Sequence, residues 1–89
     1  MKRVFKYTIN PPDESIDMPQ GAKIISAGQQ GCDIVIWAEV DPSNELGQRN
    51  VVAIPTGFAE IPDCYSFIAT VQCYDAIVLH VYVENNYEN

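Results

Sequence analysis

The side chain most suited to proton transfer near neutrality is His80, the only histidine in the chain. It sits in Ala76-Ile77-Val78-Leu79-His80-Val81-Tyr82-Val83 among residues that offer it no chemical partner. A general base or a metal ligand needs neighbours, and one histidine with scattered carboxylates has no ligand spacing. His80 therefore reads as a structural histidine, satisfied by an adjacent group or exposed on one sheet face, and no metal site is expected. Cys32, Cys64 and Cys73 are odd in number and lack a CxxC pair. Neither a disulfide framework nor a zinc knuckle follows, and no base or cationic setting activates them, so reduced packing thiols are the expectation. Ser15, Ser26, Ser43 and Ser66 lie in no GxSxG elbow. Gly28, Gly31, Gly47 and Gly57 are spaced as single turn residues, not as a phosphate cradle. Catalysis and a bound cofactor are accordingly not expected.

Binding is the chemistry that remains. Ile54-Pro55-Thr56-Gly57-Phe58 is the most unusual short string, because a glycine after a strand admits either a positive φ or the close approach of a ligand. The turn reading is preferred, yet Thr56, Gly57 and Phe58 remain the best candidates for lining a surface. Nine aromatic residues are many for so short a chain, and tyrosine keeps one end wet, so some should reach the surface. Trp37 and Tyr74 are the candidate anchors, with Asp41, Glu45, Asp63, Asp75 and Glu84 as acidic contacts. The competing reading has the aromatics only capping the ends of a thin sandwich.

The 89 residues carry five basic and twelve acidic side chains, a net charge of −7 and a pI near 4.3. Affinity for nucleic acid comes largely from neutralising phosphates, so direct binding to DNA or RNA is not expected. A basic or metal-carrying partner suits this chain better. An acidic surface also serves solubility alone. A chain of this length buries about 60 to 65% of the surface its unfolded form exposes, which allows one modest core. The start, MKRVFKYTINPP, lacks the apolar stretch of a secretion signal, and no run approaches the roughly 20 apolar residues of a membrane span. The protein is expected to be made and kept inside a cell, in its cytoplasm.

These residues must be positioned by strands. Ala76 to Val83 holds one polar side chain among Ile, Val and Tyr, and reads as a central β-strand. Phe67 to Cys73 precedes it across a tight connection at Tyr74-Asp75, forming a hairpin. Arg3 to Ile9 alternates, with Phe5, Tyr7 and Ile9 on one face, and Asn10-Pro11-Pro12-Asp13 ends it. Ser15 to Met18 reads as a short edge strand with Ile16 and Met18 inward. Lys23 to Gln29 and Cys32 to Asp41 form a hairpin about Gln30-Gly31, with Ile34, Ile36, Ala38 and Val40 opposite Val35, Trp37 and Glu39. Asp41 to Gln48 is the main exposed loop, Arg49 to Pro55 a strand, and Phe58 to Ser66 irregular with room for one helical turn. No apolar 3.6-residue period is sustained. The expectation is an all-β domain over residues 1–83, a small antiparallel β-sandwich or open barrel of about five to seven strands, with 84–89 as a polar tail.

Several strings together resemble a family of short bacteriophage proteins of unknown function. They are Phe5-Lys6-Tyr7, Met18-Pro19-Gln20-Gly21-Ala22-Lys23-Ile24, Trp37-Ala38-Glu39-Val40-Asp41-Pro42, Thr56-Gly57, Phe67-Ile68-Ala69-Thr70-Val71-Gln72 and Leu79-His80-Val81-Tyr82. The family pattern has a KY start, an MPxGA turn, a W-A-x-V-D-P strand end, a G-T-G stretch and a closing G-T-x-Q and V-F-H-V pair. Members commonly carry a histidine after G-T-G, where this chain has Phe58. The resemblance implies a phage or prophage origin and a compact β domain, and supplies no activity. The expected function is non-catalytic inhibition of a host protein, part of a nucleic-acid-directed defence, through protein contact. The alternative is an oligomeric binder that sequesters a nucleotide second messenger, with Trp37, Tyr65 or Tyr74 stacking and Arg49 or Lys23 touching phosphate. A minor virion or assembly component is a third reading.

Overall fold

In a computed structural model, residues 1–10, 13–31, 33–57, 60–73 and 77–85 are described, the side chains of residues 13, 14 and 73 excepted. They form seven antiparallel strands: β1 (Arg3–Ile9), β2 (Asp13–Pro19), β3 (Lys23–Gln30), β4 (Asp33–Val40), β5 (Leu46–Pro55), β6 (Tyr65–Cys73) and β7 (Ile77–Glu84). A three-stranded sheet has the order β1-β4-β3 and a four-stranded sheet the order β2-β5-β7-β6. The all-β expectation holds as a two-sheet sandwich, and the sheets do not close into a barrel. Among the described residues there is no helix, so the helical turn expected between 58 and 66 is absent from 60–66.

Alternation along the strands builds the core. Ile34, Ile36, Ala38 and Val40 of β4 face Ile16 and Met18 of β2, Val51 and Ala53 of β5, and Leu79, Val81 and Val83 of β7, all buried in one cluster. β7 is central, pairing β5 through Ala53↔Val81 and β6 through Val71↔Leu79. Because side chains alternate with a period of two, that register also fixes what faces outward. β2 is an edge strand with Met18 1% exposed beneath it.

Three boundaries differ from the sequence expectation for one reason, pairing. β5 starts at Leu46, not Arg49, because Met18 and Pro19 of β2 pair with Gly47 and Leu46. The exposed loop is thereby shortened to 41–45. β6 starts at Tyr65, opposite Glu84, and of the segment read as a tail, Glu84 closes β7 while Asn85 donates its amide to the Cys64 carbonyl at 2.7 Å. Bulges at Ile24/Ser26 in β3 and Phe67/Ala69 in β6 fall on the two edge strands that approach each other across the sandwich. Such irregularities add local twist, which helps two sheets meet along one side.

Candidate functional site

The outer face of β2-β5-β7-β6 follows from the register. Tyr65 pairs with Glu84 and Phe67 with Tyr82, Val52 lies on the other side of Tyr82, and Thr70 and Ile54 flank His80. The rings of Phe67 and Tyr82 meet edge to face, with centroids 5.5 Å apart and planes at 69°. That is a favourable aromatic geometry, and Phe67 is still 55% exposed. Toward β2 the same face turns polar. Asn50 Nδ2 donates to Glu84 Oε1 at 2.7 Å, and Asp17 stands exposed opposite Gln48.

His80 anchors the apolar end. Its Nε2 lies 2.7 Å from Thr56 Oγ1 and its Nδ1 3.0 Å from Thr70 Oγ1. A threonine hydroxyl both donates and accepts, so the two partners satisfy the ring in either tautomer. Thr56 reaches the ring because β5 ends at Pro55 and Gly57 reverses the chain at φ +73°, a conformation that costs a side-chain-bearing residue. Beside this pair, Ile54, Pro55, Thr56, Gly57, Ile61, His80 and Tyr82 line a partly open cavity of about 150 Å³. Glu60 and Asp63 are exposed in the loop that contributes Ile61.

The residues singled out by sequence fall in three places. Thr56 and Gly57 line the cavity, and Asp63 lies two residues from Ile61. Asp41 and Glu45 occupy the β4–β5 loop, at the other end of β5, roughly 30 Å away along ten extended residues. There Ser43 donates its hydroxyl and amide to Asp41 Oδ1 at 2.7 and 3.0 Å, which holds the Asp41 carboxyl below its ordinary value. The same loop is tied to the β2–β3 turn, where Gln20 donates to the Glu45 carbonyl at 2.7 Å and Asn44 Nδ2 to the Gln20 carbonyl at 2.9 Å. Trp37 lies on the outer face of the other sheet, its ring against Gly28, where an added Cβ would sit 3.1 Å from the indole. Phe58, Tyr74 and Asp75 lie outside the described residues, as does Cys32.

The sequence expectation of a histidine satisfied by an adjacent group agrees with the two threonine contacts, but it did not single out Thr70 or Ile61. Alternation along β7 puts His80 on the face of Val78 and Tyr82. Only the pairing of β7 with β6 sets Thr70 beside His80, and only the turn after β5 brings Thr56 to it. Among the described residues, no group of three or more His, Cys, Asp or Glu is placed to hold a metal ion. Cys64 is a half-buried free thiol. Among the described residues, too, no helix is long and apolar enough to cross a membrane.

Fold and face together define a small antiparallel β-sandwich with an aromatic, partly hollowed outer sheet. The chain belongs to the family described as Domain of unknown function (DUF7352), which matches residues 1–89. No curated protein and no solved structure matches it.

Proposed function

We propose that this chain is a non-catalytic binding protein of bacteriophage origin that inhibits a host protein by occupying its surface. The outer face of β2-β5-β7-β6 makes the contact. One observation carries the reading: Phe67, 55% exposed, and the half-buried Tyr82, Val52 and Ile54 form an apolar and aromatic stretch across three adjacent strands on a face that no other described strand covers. Binding energy at protein interfaces concentrates in aromatic anchors with a polar rim around them, and Asp17, Glu84, Glu60 and Asp63 supply an acidic one. Acidic rims steer basic partners and make the encounter salt-sensitive. A nucleic-acid-directed defence protein has such a basic surface, which is why that class of target is favoured.

The nucleotide-sequestering alternative has less support. Trp37 lies on the opposite sheet, and Arg49 Nη1 is turned inward to the Ala22 carbonyl at 2.7 Å.

The test is affinity capture from host lysate with the wild type and with Phe67→Ser/Tyr82→Ser. The expected result is a basic protein recovered by the wild type at low salt, weakened as salt approaches about 0.5 M, and lost with the double variant. Equal recovery by both chains, or recovery indifferent to salt, overturns the reading.

A further inference from the structure

We infer that the cavity beside His80 is the seat for a single tyrosine side chain of the partner protein. This deepens the protein-binding reading of the same face and rests on it.

Size comes first. A void of about 150 Å³ is of the scale known to accept a benzene ring, so one six-membered aromatic ring fits. The walls come second. Ile54, Pro55 and Ile61 are aliphatic, and Tyr82 supplies an aromatic ring against which another can pack. Among the described lining residues there is no carboxylate, so a lysine or arginine head seated inside the cavity would be desolvated with no acidic group of that lining to pair with, which is costly.

The polar corner distinguishes tyrosine from phenylalanine. Thr56 Oγ1 is engaged with His80 Nε2 at 2.7 Å, but a hydroxyl has one proton and two lone pairs. When Thr56 donates to the ring, both lone pairs remain; when it accepts, one lone pair and its own proton remain. In each tautomer, then, Thr56 has a lone pair to offer a neutral donor. A phenol meets that requirement, whereas a plain phenyl ring would strip water from the threonine and return nothing. Among the described residues other than its chain neighbours, nothing lies within 4 Å of where a Cβ on Gly57 would be.

The experiment titrates the intact protein with side-chain mimics and follows its NMR spectrum. The probes are p-cresol for tyrosine, toluene for phenylalanine and n-propylguanidinium for arginine. p-Cresol is expected to give saturable shifts of the Ile54 and Ile61 methyls, the Thr56 amide and the His80 ring, with a Kd on the order of millimolar for so small a ligand. It should bind about two- to tenfold more tightly than toluene, the scale of one hydrogen bond. In Thr56→Val, which keeps the shape and removes the hydroxyl, that preference should vanish. Absence of saturable shifts with p-cresol, equal binding of toluene by the wild type, or tighter binding of n-propylguanidinium overturns the inference. The titration needs no partner, so its failure alongside a Phe67/Tyr82-dependent capture discards the tyrosine seat alone, leaving the binding face intact.

Discussion

Gly28 shows how closely single residues are constrained. The Trp37 indole lies where a Cβ would be, so Gly28→Ala forces the ring or the backbone to move. Overpacking of this kind costs about 1–3 kcal/mol, and because Trp37 is the only tryptophan, its fluorescence should shift in the folded protein while urea denaturation records the loss. Asp41 gives a second expectation. Bonding from the Ser43 hydroxyl lowers its carboxyl from the ordinary 3.8, so the carboxylate's contribution to stability is complete above that value and is lost as pH falls through the lower folded one. An NMR titration should find the Asp41 midpoint below 3.8 and return it toward 3.8 in Ser43→Ala. His80 marks the limit of residue-level reading. Its parity in the strand was legible, but a ring hydrogen-bonded by Thr56 and Thr70 depends on residues 24 and 10 positions away, and no local pattern encodes that pairing.

At the scale of elements, β1 at Arg3–Ile9, the β3–β4 hairpin and the central place of β7 were all legible, because each carries strict alternation or an unbroken apolar run. Leu46-Gly47-Gln48 was not. Its composition is that of a loop, and it becomes strand only because the far end of β2 pairs with it. The bulges in β3 and β6 were hidden for a related reason: they answer to the fit between sheets, with Ile68 partly buried against the core and Ile25 left 47% exposed. β2 contributes more than its edge position suggests. Met18 fills the core beneath it, so Met18→Ala should cost about 2–5 kcal/mol, read by urea denaturation. In a domain whose whole stability is on the order of 5–15 kcal/mol, that is a large share. Conservative Met18→Leu should cost less than about 1.5 kcal/mol.

Across the whole molecule, charge is divided unevenly between the two sheets: the β1-β4-β3 side mixes lysines with Asp33 and Glu39, while the described side chains on the other side are mostly acidic, with Arg49 the exception. Lys2, Lys6 and Lys23 belong to the β1-β4-β3 side, where Lys2 pairs with Glu39 at 3.5 Å and Lys6 Nζ donates to Gln30 at 2.7 Å. Asp17, Glu84, Glu60 and Asp63 belong to the other side, together with the aromatic stretch and the cavity. Net charge, visible in the sequence, says nothing of this division, since it takes the sheet order to send β1 and β3 to one layer and β2, β5, β6 and β7 to the other. On the proposed reading one face, and not its opposite, makes the functional contact. Calorimetric titration of the captured partner with the wild type, Phe67→Ser/Tyr82→Ser and Lys6→Glu tests it directly. The aromatic double variant should weaken binding by about a hundredfold or more, as loss of interface anchors does, while Lys6→Glu should leave it within about threefold. Binding unchanged by the double variant but abolished by Lys6→Glu would contradict it.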